Sequence, residues 1–400
     1  MAHDVIVVGG GIAGCAAAER LAERGLSVLL LERGALAGGA TGRNQGGLLP
    51  SPLPACGGLF AEAVAYYAQA DRESEVPFRF RPHGYLLVAA DEDGMDRARG
   101  HGHALAENGF PAHQIGPGEL RELEPGLAPD LAGAVVVEGA HALHPVLTAA
   151  ALAVRAARAG AEIRTHTMVR GLLTDSERVT GVVTDGGPLA AGAVVLAAGP
   201  WSRSLAQQAG TDVPVFGARG WLLRTAPVTG AVFRHTLMQS TWHGPVGLKR
   251  NGPPLLADVA APAPAGGAQV VFSLQPLPSG EVVLGSSSGP ALQLDDVRDG
   301  EEAVAMIAAA AARHAPVLAK TPVRAAWSGV RPMSPDGLPV VGPAPGAPGL
   351  WLLTGFGIDG MPLAPGTARL LTEYLVAGRC PAGAEPFVPE RFDARGDRHD

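Results

Sequence analysis

"DVIVVGGGIAGCAAAERLAERGLSVLLLERG", Asp4 to Gly34, decides the fold. Val5 to Val8 are short, apolar and β-branched, and read as a buried strand. Gly9, Gly11 and Gly14 follow at GxGxxG spacing. The alanine-rich run 13–24 predicts a helix, with Gly25 as its stop. "SVLLLE" predicts a second buried strand that ends in Glu32. GxGxxG alone is a weak signal. Here it has a strand before it, a helix and second strand after it, and an acid 18 residues beyond Gly14. Gly9 permits the tight turn, Gly11 lets backbone approach a pyrophosphate, and Gly14 lets helix and strand pack closely. The helix N-terminus offers free N–H groups and positive dipole to phosphate. Glu32 can accept hydrogen bonds from a ribose diol, which argues against a 2′-phosphate and hence against NADP. The bland alternative is a glycine-rich turn with no ligand.

A second match lies near the end, in "LWLLTGFGIDGMPLAPGTARLLTEYLVAG", Leu350 to Gly378. Gly355, Gly357 and Gly360 fit the same spacing, but proline-rich sequence follows the helix expected at about 364–377, with no second strand ending in an acid. What remains is a glycine turn that aims a helix N-terminus at something electron-rich. The N1–C2=O edge of a flavin is such a target. One nucleotide fold at the front and this turn at the back therefore point to FAD rather than NAD. "GGATGRNQGGLLP" (Gly38–Pro50) packs glycines around Arg43, Asn44 and Gln45, a loop able to lie against a flat ring system. "AGAVVLAAGPWS" (Ala191–Ser202) predicts another buried strand ending in small residues.

The chain has 400 residues, 47% of them hydrophobic, enough for one large domain or two interleaved ones. Its net charge of -7 without a basic block argues against nucleic-acid binding. Asp4 stands almost at the start, and no positively charged leader precedes the first apolar run, which is broken by glycine and too short for a membrane span. A soluble cytoplasmic protein is expected. Cys15, Cys56 and Cys380 are odd in number and far apart, so no disulfide framework or CxxC metal site is indicated. The histidine pairs His101/His103 and His141/His144 lack partners at zinc-ligand spacing.

"VIVVGGGIAGCAAAERLAERGLSVLLLER", "GATGRNQGG", "VVLAAGPWS", "VFSLQPLPSGEVVLGSSS", "GVRPMSPDGLPVVG" and "GFGIDGMPLAPGTARLLTEYLVAG" occur in that order along nearly the whole chain. In this combination the chain resembles the D-amino-acid oxidase superfamily of FAD-dependent amine oxidoreductases, with glycine oxidase, sarcosine oxidase and proline dehydrogenase β subunits among its members. The resemblance implies an α/β fold, α+β overall. A Rossmann-like FAD domain would take 1–75, 141–215 and 321–400, and an antiparallel-sheet substrate domain 76–140 and 216–320. It implies FAD contacts at Gly9, Gly11, Ile12, Ala13 and Gly14, at Glu32 and Arg33, and along Thr41, Gly42, Arg43, Asn44, Gln45, Gly46 and Gly47. Further contacts are implied at Val169, whose backbone would meet the adenine, at Ala198, Gly199 and Trp201, at Arg331, and at Gly357, Ile358, Asp359, Gly360 and Met361. "GYLLVAAD" (Gly84–Asp91) and "AQVVFSLQPLPSGEVVLGSSS" (Ala268–Ser288) read as strands, the latter a hairpin turning at "PSG". "VAAPAPAGGAQ" (Val259–Gln269) reads as a surface loop.

By the same resemblance, Arg331 in "WSGVRPMSPDGLPVVG" binds the substrate carboxylate above the flavin. A planar guanidinium grips a carboxylate through two parallel hydrogen bonds, fixing orientation as well as position. The competing reading is a salt bridge, to Asp336 for example, that orders the turn. The chemistry implied is hydride transfer from a neutral amine to flavin N5. It yields an imine and reduced flavin, which is then reoxidised by oxygen or another acceptor. His243 and Lys249 are candidates to line the pocket or to steer substrate and oxygen, with a surface loop as the alternative. Gln275 and Trp221 are weaker candidates of the same kind. Tyr85 is expected in strand packing, Tyr66 and Tyr67 in helix packing beside the flavin. Where monomeric sarcosine oxidase carries its flavin-tethering cysteine this chain has Gly329, so non-covalent FAD is expected. Phe356 stands where many relatives have His, and Asp359 where they have Gly. A tailoring oxidase for a larger secondary-metabolite amine, and an FAD-carrying component of a multi-subunit dehydrogenase, are the rival readings.

Overall fold

The computed structural model describes residues 2–240, 269–291, 293–295 and 300–395. The opening run forms strand β1 (His3–Val8), helix α1 (Ile12–Glu23) and strand β2 (Val28–Leu31), with β1 and β2 parallel. Their apolar residues are buried on both faces, as a strand covered by helices requires. The sheet they start continues in the order β10-β11-β12-β1-β2-β9, from β9 (Glu162–Arg164), β10 (Val169–Asp175), β11 (Arg178–Thr184) and β12 (Gly187–Leu196). The long strand β12 serves twice. Its first half pairs antiparallel with β11 and its second half parallel with both β1 and β19 (Leu350–Thr354). Strand β18 (Val340–Pro343) closes on β19.

Helices α1, α2 (Gly57–Glu73), α5 (Pro145–Arg158) and α8 (Gly360–Ala377) cover one face of this sheet and share a core of Ala, Leu and aromatic side chains. Alanines at the α1 interface let the helices approach closely. Glu19, 1% exposed on α1, accepts from Tyr66 Oη on α2 and, at 2.6 Å, from Arg155 Nε on α5. A carboxylate so placed is tolerated only because it is fully partnered. Tyr66 and Tyr67 therefore pack between helices, Tyr67 with its hydroxyl on the carbonyl of Met361.

The second sheet runs β17-β13-β16-β15-β14-β5-β7-β6. Its strands are β5 (Tyr85–Ala89), β6 (Ala112–Ile115), β7 (Gly133–Val137), β13 (Phe216–Thr225), β14 (Thr236–Gln239), β15 (Gln269–Pro276), β16 (Val282–Pro290) and β17 (Val323–Met333). It is antiparallel except where β14 meets β5 in parallel. Helix α7 (Glu301–His314) packs on one face and α3 (Glu92–Glu107) on the other. Short helices α4 (Pro117–Leu123) and α6 (Ser202–Gln207) complete the described helices. Two-residue strands β3 (Gly47–Leu48), β4 (Arg81–Pro82) and β8 (His141–Ala142) form a small third sheet.

The chain visits the first sheet, the second, the first, the second and the first again. Helix α8 starts at Gly360, four residues ahead of its expected start, and absorbs Pro362 and Pro365. Pro362 costs nothing there, because the N–H groups of a first turn have no helical partner. Pro365 removes the bond that the Met361 carbonyl would otherwise receive, and the Tyr67 hydroxyl donates to that carbonyl instead, at 2.8 Å.

Candidate active site

A cavity of about 700 Å³ runs from the first βα turn to the face of the second sheet. At one end the glycine turn forms as its spacing requires. Gly9 has φ +114°, and a Cβ at Gly14 would stand 1.9 Å from the Gly9 carbonyl oxygen. Glu32, one residue past β2, accepts from Gly10 N at 2.7 Å and from Gly34 N at 2.8 Å. It clamps both sides of the turn and still faces the cavity with its remaining lone pairs. Thr41 Oγ1 takes the N–H of Ile12 at 3.0 Å. Beyond Glu32, Arg33 lies 3.9 Å over the Trp201 ring, and both reach Asp295: Arg33 at 3.1 Å, the Trp201 indole N–H at 3.2 Å. Val169 and the 197–201 turn close this end.

The loop from Gly38 to Pro50 joins the two sheets. Arg43 donates to Ser328 O at 2.8 Å, and Gln45 Nε2 to Val283 O at 3.3 Å, while Ser273 Oγ donates to Gln45 Oε1. Asn44 holds the loop internally, accepting from Gly46 N at 2.8 Å and donating to Thr41 O at 2.6 Å. Of the cofactor-binding residues expected from the sequence, only Gly14, Gly42 and Gly46 do not line the cavity. Each is a glycine for packing: a Cβ at Gly42 would meet Ala37 O at 2.4 Å, and one at Gly46 would meet Leu143 O at the same distance.

Arg331 lies on β17 and its guanidinium folds back over Gly220 of β13, where a Cβ would be 2.3 Å from Nη1 and 2.7 Å from Nη2. Gly220 pairs with Gly329, and over Gly329 lies the Arg43 side chain. Two facing glycines thus make room for two arginines. Gly357 N donates to Pro332 O at 2.7 Å, fixing the end of β17 to the turn before α8. Arg331 donates to Ser287 O at 3.2 Å, and among the described residues no carboxylate pairs with it. Its expected salt-bridge partner is taken: Asp336 binds Arg391 at 2.8 and 3.1 Å. Burial lowers the Arg331 pKa below the usual arginine range.

Asp359 precedes α8 at its N-cap, yet its side chain caps no backbone N–H and faces the cavity instead. Burial raises its pKa to about 6, against the opposing pull of the Ser51 hydroxyl. The thiol of Cys56 and the phenol of Tyr85 are both pushed up, by burial first and then by the Asp359 charge. Phe356 is buried against the same end.

Gln275 and Tyr85 line the cavity, the first accepting from Thr236 Oγ1 at 2.7 Å and the second donating to Met238 Sδ at 3.6 Å. Tyr85 is thus more than strand packing. Trp221 does not line it. Strand alternation sends its ring to the other face, where it packs against Gly300 ahead of α7. His243, Lys249 and residues 259–268 of the loop expected at Val259–Gln269 lie outside the described residues, while Gln269 is the first residue of β15. Ser51, Thr236, Met238 and Gly220 also line the cavity, and the first three carry no local signature in the sequence. Gly220 alone had a visible mark, a glycine inside a strand pattern, which signals close approach by another group.

The cavity has the features a dinucleotide needs: a glycine cradle, an acid beside it, and two helix N-termini, of α1 and α8, that their own N-cap residues leave uncapped. That defines the class, a dinucleotide-binding protein whose cavity reaches a second sheet. The family model described as "FAD dependent oxidoreductase" matches residues 4–374, and the chain belongs to that family, within the D-amino-acid oxidase superfamily. Glycine oxidase of Pseudomonas aeruginosa is 30% identical over 97% of this chain and 99% of its own. One component of the anaerobic glycerol-3-phosphate dehydrogenase of Escherichia coli K12 is 32% identical over 82% of this chain, which spans 57% of that protein. The crystal structure of glycine oxidase from Geobacillus kaustophilus superposes with a TM-score of 0.80 at 28% identity, covering 100% of this chain and 99% of that one. The chain is an FAD-dependent oxidoreductase.

Proposed function

We propose that this enzyme oxidises an amino acid, or another primary or secondary amine bearing a carboxylate, to the imine. The observation that carries the reading is Arg331: a guanidinium facing the cavity, given room by Gly220 and held by one backbone carbonyl, without a carboxylate partner among the described residues. A planar donor fork left open in a part-buried site fits a ligand carboxylate. The comparison with glycine oxidases supports the same substrate class. We assign FAD to the unit built on the first sheet and the substrate to the second sheet. Bound FAD would supply hydride acceptance from the carbon beside the nitrogen, with oxygen or another acceptor taking the electrons afterwards; a proton would leave the nitrogen, and water would hydrolyse the imine. The protein's share is to hold the carboxylate on Arg331 so that this carbon faces the flavin, and positioning of this kind supplies much of a rate enhancement.

Anaerobic addition of glycine, sarcosine, proline, hydroxyproline and both enantiomers of common amino acids to the holoenzyme tests the reading. Bleaching of the flavin by a member of this panel is expected. In Arg331→Ala the same substrate should bleach it about 100-fold less efficiently while FAD stays bound, the cost of losing a charged bidentate contact. Equal efficiency in the variant would overturn the assignment.

The similarity to a glycerol-3-phosphate dehydrogenase component favours a second reading, an FAD-carrying subunit that passes electrons to a partner. Turnover with an artificial dye but not with oxygen would support it.

A further inference from the structure

Tyr85, on the cavity face of the second sheet, has a hydroxyl that the protein leaves poorly satisfied. The residue is 2% exposed and lines the cavity. Among the described residues its hydrogen-bond partner is Met238 Sδ, at 3.6 Å. A thioether is a weak acceptor, and a phenol buried to this degree ordinarily reaches an oxygen or nitrogen. The neighbouring hydroxyls are committed elsewhere. Thr236, beside Tyr85 on β14, donates to Gln275 Oε1 at 2.7 Å. Ser273, opposite Met238 on β15, donates to Gln45 Oε1 at 3.2 Å. Burial, and after it the Asp359 charge, push the phenol pKa up, so Tyr85 keeps its proton and meets the cavity as a donor.

Strand order and register fix where this hydroxyl stands relative to Arg331. The Arg331 guanidinium is held at the Ser287 carbonyl of β16, at 3.2 Å. Met238 lies on β14, two strands away across β15. Met238 stands opposite Ser273, Ser273 opposite Gly285, and Ser287 is two residues further along β16. With the usual strand spacing and rise per residue, the Met238 end of the cavity is on the order of 10 Å from the guanidinium. A hydrogen bond of about 3 Å at each end leaves roughly 5 Å between a carboxylate on Arg331 and an acceptor on Tyr85. An amino acid with a short polar side chain spans that gap. Among the described residues of the second sheet that line the cavity, Arg331 carries the only charge. A second carboxylate at Tyr85 would therefore be buried without a cation, at high cost. The acceptor that fits is neutral.

We propose that Tyr85 is a specificity-determining residue whose hydroxyl donates to a neutral oxygen on the substrate's side chain, so that the enzyme acts on amino acids bearing a side-chain amide or hydroxyl. The proposal rests on the carboxylate reading of Arg331. It adds that the opposite end of the cavity discriminates against apolar side chains of the same shape.

The test uses unreactive carboxylate pairs of matched shape, one member with an amide and the other with an isopropyl group: succinamate against 4-methylpentanoate, and glutaramate against 5-methylhexanoate. Affinity for the FAD-loaded enzyme is read from the perturbation of the flavin spectrum. In at least one pair the amide is expected to bind about fivefold or more tighter, the worth of a net hydrogen bond. Tyr85→Phe keeps the ring and its packing, and should abolish the preference with isopropyl-probe affinity unchanged. No preference for the amide in either wild-type pair overturns the proposal without recourse to any variant. A preference that survives Tyr85→Phe overturns it too, and a shift in that variant's ligand-free flavin spectrum and midpoint potential would then place the hydroxyl on the cofactor. Failure of the underlying reading shows elsewhere. Isopropyl probes that bind Arg331→Ala as tightly as wild type would refute the carboxylate clamp, whereas the ratio within each pair reports on Tyr85 alone.

Discussion

Gly220 has no side chain, and that absence is what seats Arg331. Gly220→Ala would put a methyl group 2.3 Å from Nη1 and 2.7 Å from Ser287 O. The guanidinium is the end of a flexible side chain and can swing away, but the Ser287 carbonyl is backbone, so β16 must also give way. We expect kcat/KM for an amino-acid substrate to fall roughly 10- to 100-fold, since small misplacements of a positioning group cost this much. FAD content should change little, while the melting temperature should fall by a few degrees as the backbone at Ser287 shifts. Steady-state kinetics with the flavin spectrum as a control checks this. At this scale the sequence was partly legible. The RP motif and the resemblance around it singled out Arg331, and Glu32 was marked by its place after β2. Ser51 was not, and Gly220 showed only that some group comes close, because which side chain approaches is decided elsewhere in the chain. Asp359 was visible as a departure, but that it leaves its own helix uncapped is a matter of rotamer and burial.

At the scale of elements, helix α8 carries a proline at its sixth residue and is held by a tyrosine from another helix. Tyr67→Phe keeps the ring and its packing but leaves the Met361 carbonyl buried without a donor. A loss of about 1–3 kcal/mol in stability is expected, with loosened flavin binding because Met361 lines the cavity. Chemical denaturation of the apo-protein and a flavin titration measure the two effects. The first βαβ unit was legible almost residue for residue, because its apolar runs, helix and glycine stop agree with one another. The start of α8 was not. Proline argues locally against helix, and only the tertiary donor Tyr67 offsets that preference. The expected antiparallel sheet holds one parallel pair, β14 on β5, which local patterning cannot reveal because pairing partners lie far apart in sequence.

At the scale of the whole molecule, the loop from Gly38 to Pro50 bonds to Ser328 and Val283 of the second sheet while its own threonine holds the N-terminus of α1. A ligand seated on that loop stabilises both sheets together. FAD at 100 times its dissociation constant should add about 2.7 kcal/mol to the folded state. The melting temperature should rise by several degrees, in one transition seen alike by flavin fluorescence and far-ultraviolet circular dichroism. Two separated transitions would show that the sheets unfold independently. His243 and Lys249 lie outside the described residues, so the site argued above stands on Arg331 and its neighbours.

The chain passes four times between the two large sheets, and Arg331 lies on the strand just before the last passage. Neither half is one continuous stretch of gene. Recombination between related enzymes that moved a new specificity onto an old cofactor site would need matched crossovers at all four passages. A single crossover would instead join the front of one flavin cradle to the back of another. Specificity in a chain threaded this way is more readily changed by point substitution around Arg331, at Gly220 for example, than by exchange of blocks.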